Sequence, residues 1–170
     1  TDRYPFLKTL LFFFPSGNKE EGFAQLRDCI ENARFAKTEA TVVMCYVYLS
    51  YEKNYYEAEK YADKFYKQYP ENPAAEKYLA NSYTGQGRWS ESIILWDSIL
   101  IKINDSKPGY NNTYLKRESL YYLGLCYQKT GKLDDAVKYY TESLNMSREL
   151  DKDKQSPQQV FSALGLGMVN

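Results

Sequence analysis

Apolar side chains return every three or four residues along most of this chain, and no stretch alternates apolar with polar positions between turn residues. That is the pattern of amphipathic helices. In YYEAEKYADKFYKQY, residues 55–69, the side chains of Tyr55, Ala58, Ala62, Phe65 and Tyr69 share one stripe, and Pro70 ends the segment. In WSESIILWDSILIKI, residues 89–103, Trp89, Ile93, Trp96, Ile99, Leu100 and Ile103 do the same, after Gly85 and Gly87 have broken the preceding helix. Each helix gives way to a short polar break and another amphipathic helix, so the chain is predicted to be all-α.

The second helix of each pair opens on a small residue. These are Ala58, Ser92 and Ala136, with 34 residues between the first two and 44 between the last two. A first helix precedes each with its own stripe: Val42, Cys45, Tyr46, Leu49, then Glu76, Leu79, Ala80, Tyr83, then Leu120, Leu123, Gly124, Tyr127. In these positions the segments resemble tetratricopeptide repeats, helix-turn-helix units of 34 residues with leucine-glycine, tyrosine, alanine and an aromatic at set spacings. Residues 117–150 match best, with Leu123, Gly124, Tyr127, Gly131, Ala136 and Tyr140 in place; 73–106 and 39–72 follow, the latter with Tyr46 where a small residue is usual.

The resemblance implies a right-handed α-solenoid, or superhelix, of antiparallel helix pairs filling 1–170. A degenerate unit is expected over 1–36, its first helix FLKTLLFFF ending at Pro15 and its second helix carrying Gly22, Leu26 and Cys29. The opening resembles a bacterial type of repeat protein in which an apolar hairpin leads into the array. Ten extra residues, 107–116, are expected to form a surface loop at a unit boundary, with Pro108 and Gly109 ending one helix and Asn111, Asn112 and Thr113 available to cap the next. Residues 151–170, with Ala163, Leu164 and Gly165, read as the start of a further unit.

Composition narrows the function. Twenty-two basic residues balance 22 acidic ones without a run of five like charges, which argues against nucleic acid. The longest apolar runs, Leu10–Phe14 and Ile93–Trp96, are far short of the ~20 residues that cross a membrane. Histidine is absent, and with it the usual general base and the commonest metal ligand. Cys29, Cys45 and Cys126 lie too far apart for a zinc pattern and are expected to be buried free thiols. Lys129-Thr130-Gly131, SxxK at Ser50–Lys53 and SGN at Ser16–Asn18 spell the triplets of penicillin-recognising enzymes, but SGN comes first and the lysine triplet falls in a helix-helix turn. The pairs Glu20-Glu21 and Asp134-Asp135 read as first-turn charges on helices. No enzyme activity, metal or cofactor is expected.

The resemblance places the first helix of every unit on the concave face. Residues one face away from the packing stripe would point into it: Val43, Val47 and Tyr51, then Lys77, Tyr78 and Asn81, then Tyr121, Tyr122, Leu125 and Lys129. With 18 tyrosines in the chain, this groove is expected to be aromatic and to bind a peptide or helix of a protein partner. The alternative is a structural module whose groove is covered by a second copy of the chain or by further units. Lys77 and Asn81 match the opening pair with which co-chaperone repeats grip a terminal carboxylate, but Tyr122 stands where the next asparagine belongs. Alanine at Tyr78, Tyr121 or Tyr122 is expected to weaken binding and spare the fold. The chain opens on Thr1 and reads as a piece of a longer protein, whose compartment, bacterial cytoplasm or cell envelope, the sequence does not fix.

Overall fold

The computed structural model describes residues 18–152 and 155–169. FLKTLLFFF, Pro15 and the first two residues of SGN lie outside the described residues. The chain divides into two compact units, one ending at Ala40 and the other beginning at Thr41.

In the first unit, helix α1 spans Lys19–Asn32. It is started by the Asn18 side chain, which accepts from the backbone amides of Glu20 and Glu21 at 3.0 and 3.3 Å, leaving both carboxylates in the first turn, where the helix dipole favours them. Cys29 is half-buried and its thiol donates to the Ala36 carbonyl at 3.6 Å, unlike the fully buried Cys45 and Cys126.

Helix α2 (Lys37–Val47), within which the boundary falls, runs into a π-helical turn, Tyr48–Glu52, in the second unit. Then come α3 (Tyr55–Gln68), α4 (Pro73–Gly85), α5 (Trp89–Asn104), α6 (Thr113–Lys129), α7 (Leu133–Leu150) and α8 (Pro157–Val169). No strand occurs among the described residues. From α3 onward each helix packs on the next in the chain, and α8 also reaches back to α6. This is an α-solenoid of antiparallel helix pairs. Asparagines set the helix starts: Asn54, Asn72 and Asn112 accept from the amides of Glu57, Ala74, and Tyr114 with Leu115. Gly131, at φ +77°, turns α6 into α7, so Lys129-Thr130-Gly131 is a helix end and a turn.

The three small residues that open second helices, Ala58, Ser92 and Ala136, are all fully buried. Small positions admit large rings. Tyr140, 1 % exposed, lies between two glycines: a Cβ added at Gly124 would stand 2.7 Å from its ring, and one at Gly165 would stand 2.5 Å away. Its hydroxyl donates to Gln128 Oε1 at 2.8 Å. Around Ser92 the interior is polar and fully bonded: the Thr84 and Ser92 hydroxyls share a 2.6 Å hydrogen bond, the Trp96 indole donates to Thr84 Oγ1 at 3.1 Å, and the Cys126 thiol donates to Ser92 Oγ at 3.4 Å.

The loop between α5 and α6 is not a passive surface insertion. Tyr110 plunges from it to 0 % exposure and donates its hydroxyl to Glu76 Oε2 at 2.7 Å. Glu76, on the packing stripe of α4 and itself fully buried, also accepts from Ser98 Oγ at 2.6 Å and from Lys102 Nζ at 3.0 and 2.9 Å. A buried carboxylate is tolerable only with a cation and a filled set of donors, and here it has both.

Candidate functional site

One cavity of about 580 Å³ opens on the second unit. Three successive first-helix regions wall it. From α4 come Lys77, Tyr78, Asn81, Thr84 and Gly85, residues whose spacing keeps them on one helical face. From α6 come Glu118, Tyr122 and Leu125, at steps of four and three. The remaining wall is Tyr46 of α2, Leu49 and Ser50 of the π turn, Lys53, and Tyr55 at the start of α3.

Along that last wall Tyr46, Leu49, Ser50 and Lys53 recur at helical spacing, on a different face from Val43, Val47 and Tyr51. The π turn lies within this stretch. It ends at Lys53, whose φ of +51° is left-handed, with the Asn54 amide donating back to the Tyr48 carbonyl at 3.0 Å.

Each ring in the wall is seated by its neighbours. Tyr122 stacks on the buried Trp96, with ring centres 4.7 Å apart and planes 14° from parallel. Tyr55 lies so close to Gly85 that any Cβ there would sit 2.2 Å from its ring. Tyr46 meets Tyr51 edge-on at 5.6 Å. Burial raises the pKa of Tyr78 above the usual phenol value, and burial, aided by the nearby Glu118 charge, does the same for Tyr122. Their hydroxyls therefore stay protonated and can donate as well as accept.

Charge is unevenly spent. Lys77 Nζ lies 2.6 Å from Glu118 Oε2, closing an ion pair between α4 and α6. Among the described residues, the Lys53 ammonium and the Asn81 side-chain amide make no ion pair or hydrogen bond with the rest of the protein, although both line the cavity.

Of the ten positions expected in the groove, Lys77, Tyr78, Asn81, Tyr122 and Leu125 line this cavity. Val43, Val47, Tyr51, Tyr121 and Lys129 do not. Val43 and Tyr51 are exposed, at 42 % and 69 %, and Lys129 is exposed at the end of α6. Tyr121 turns toward α7 and α8, with its ring 6.1 Å from Tyr140 and 6.2 Å from Phe161. The stacking of Tyr122 on Trp96, and the packing of Tyr78 against the Cys45, Ala62 and Leu79 cluster, mean that alanine at either position removes packing as well as wall. Glu118 was within reach of the sequence, since it precedes Tyr122 by one helical turn. Leu49, Ser50 and Lys53 were missed together with Tyr46, because the expected face followed Val43, Val47 and Tyr51 instead of Tyr46 and the residues three, four and seven beyond it.

The tetratricopeptide repeat family model matches residues 117–150. No curated protein matches the chain in sequence. A solved structure, the crystal structure of the apo form of RapI, is similar in fold with a TM-score of 0.68 at 18 % identity, over 86 % of this chain and 53 % of that one. The chain thus spans about half the length of RapI. The fold is a helical-repeat array, and one of its helix pairs, within residues 117–150, carries the tetratricopeptide repeat pattern.

Proposed function

We propose that the protein is a non-catalytic interaction scaffold that holds an extended peptide or a helix of a protein partner in the cavity walled by α4, α6 and the π turn. One observation carries the reading: three successive helix pairs contribute to a single aromatic recess that still offers unpaired polar groups. Its 580 Å³ falls in the ~300–1,000 Å³ range of ligand pockets, enough for a few peptide residues. Rigid tyrosines supply contact area at low entropic cost, and unpaired amides and hydroxyls match a peptide backbone.

The test is selection from a random peptide display library against the wild-type protein and against Asn81→Ala and Tyr46→Ala. Asn81 has no internal partner and Tyr46 is 49 % exposed, so both variants should melt within a few degrees of wild type. Peptides enriched on the wild type are expected to bind the variants at least about tenfold more weakly. Enriched peptides that bind all three proteins equally would place the interaction elsewhere.

A further inference from the structure

We infer that one buried water molecule binds where α6, α7 and α8 meet, accepting a hydrogen bond from Arg117 Nε, donating one to Gln159 Oε1 and sharing a third with the Ser147 hydroxyl. In the Glu76 and Ser92 clusters, buried polar side chains are paired within the chain. Three buried side-chain atoms among the described residues have no protein partner: Arg117 Nε, Ser147 Oγ and Gln159 Oε1. They are not scattered. Each comes from a different one of three helices that pack on one another, and none of the three residues lines the cavity described above.

The hydrogen bonds on either side set these atoms in one layer. At one level, the Ser143 hydroxyl of α7 donates to the Arg117 carbonyl at 3.3 Å and accepts from the Ser162 hydroxyl of α8 at 3.0 Å. Further along α7, Asp151 accepts from Arg117 Nη1 at 2.8 Å and from the Ser156 hydroxyl. Ser147 stands midway, one helical turn from Ser143 and one from Asp151, on the same face. Gln159 stands midway in the facing segment, three residues from both Ser156 and Ser162. The Arg117 side chain, held at its carbonyl by the first level and at its guanidinium by the second, runs past Ser147 and carries Nε into the layer between.

The bonding capacities select water. Arg117 Nε only donates, Gln159 Oε1 only accepts, and the Ser147 hydroxyl does either. A direct bond from Arg117 to Gln159 would leave the fully buried Ser147 hydroxyl unmatched, whereas one water satisfies all three, the usual number for a buried water. Charge is already balanced by the Arg117–Asp151 pair, so the layer favours a neutral molecule over an ion. The water ties α8 to both helices beneath it, one turn beyond the Ser156 contact with Asp151.

A high-resolution crystal structure of the wild type should show a water oxygen within about 3.2 Å of all three atoms. Arg117 Nε in direct contact with Gln159 Oε1, or a layer without water, overturns the inference. Gln159→Met keeps the length of the side chain and removes the acceptor. It should expel the water and speed hydrogen exchange of the amides of 157–169 about tenfold, with α4 and α5 unchanged. The milder Ser147→Ala should keep the water on its two remaining partners and speed the same amides by a smaller factor. Wild-type exchange rates in Gln159→Met, or in Ser147→Ala, would show that the residue holds no internal water and overturn the three-partner site.

Discussion

Gly124 shows how one absent carbon fixes the packing of a whole helix pair. With Tyr140 Cδ1 only 2.7 Å from where a Cβ would stand, any side chain must push the ring off its seat, and Gly165 blocks retreat on the ring's other side. Gly124→Leu is expected to lower unfolding stability by about 1–3 kcal/mol, the usual cost of overpacking, measured by urea titration with unchanged slope. A wild-type midpoint would show that α6 and α7 do not meet at this register. The same logic holds at Gly85, but only half of it was legible in the sequence. A glycine near the end of a predicted helix reads as a breaker, and α4 does end there. That Gly85 also makes room for the Tyr55 ring at the wall of the cavity depends on a partner 30 residues upstream, which periodicity does not report.

Helix existence and pairing were written in the apolar spacing, because each helix buries a stripe on its neighbours and the stripe must repeat with the helical period. The match at residues 117–150 falls on the unit whose leucine-glycine, tyrosine, alanine and tyrosine positions are most complete. What the spacing could not carry was which face of α2 meets the cavity, or what a loop contributes. The wall takes Tyr46, Leu49, Ser50 and Lys53 in place of Val43, Val47 and Tyr51, and the loop before α6 contributes a core residue although its sequence is polar and rich in turn formers. Tyr110 ties that loop to α4 through Glu76, so the loop behaves as part of the fold. Tyr110→Phe should fill the same space yet leave Glu76 short of a donor, at a cost of about 1–3 kcal/mol. Thermal unfolding checks it, with deletion of a surface hydroxyl such as that of Tyr56, 69 % exposed, as the neutral comparison. An equal melting temperature for Tyr110→Phe would mean that the loop is carried passively.

Because α4 to α7 each pack between neighbours whereas α8, the last of the described helices, packs mainly on α6 and α7, stability should fall off toward α8 in the manner of a nearest-neighbour array. Val160, Phe161, Leu164 and Met168 leave one side of α8 exposed, so its attachment relies on Gly165 against Tyr140 and on a polar latch. In that latch Arg117 of α6, only 8 % exposed, donates to Asp151 Oδ1 at 2.8 Å, and Asp151 Oδ2 accepts from Ser156, whose Oγ in turn accepts from the Gln159 amide at the start of α8. The Ser156 hydroxyl first, and then Arg117, hold the Asp151 carboxyl below its ordinary value of 3.8. A carboxyl lowered by folding stabilises the native state in full above its unfolded value, about 3.9, and loses that contribution as pH falls through the lower native value. Acid should therefore release α8 first, while the Trp96 core holds. Hydrogen exchange at neutral pH on Asp151→Asn, which cannot ionise, should reproduce the loss: amides of 157–169 exchange faster, and those of α4 and α5 keep wild-type protection. If exchange instead rises uniformly from α4 to α8, the latch is not local and the array unfolds as one cooperative block.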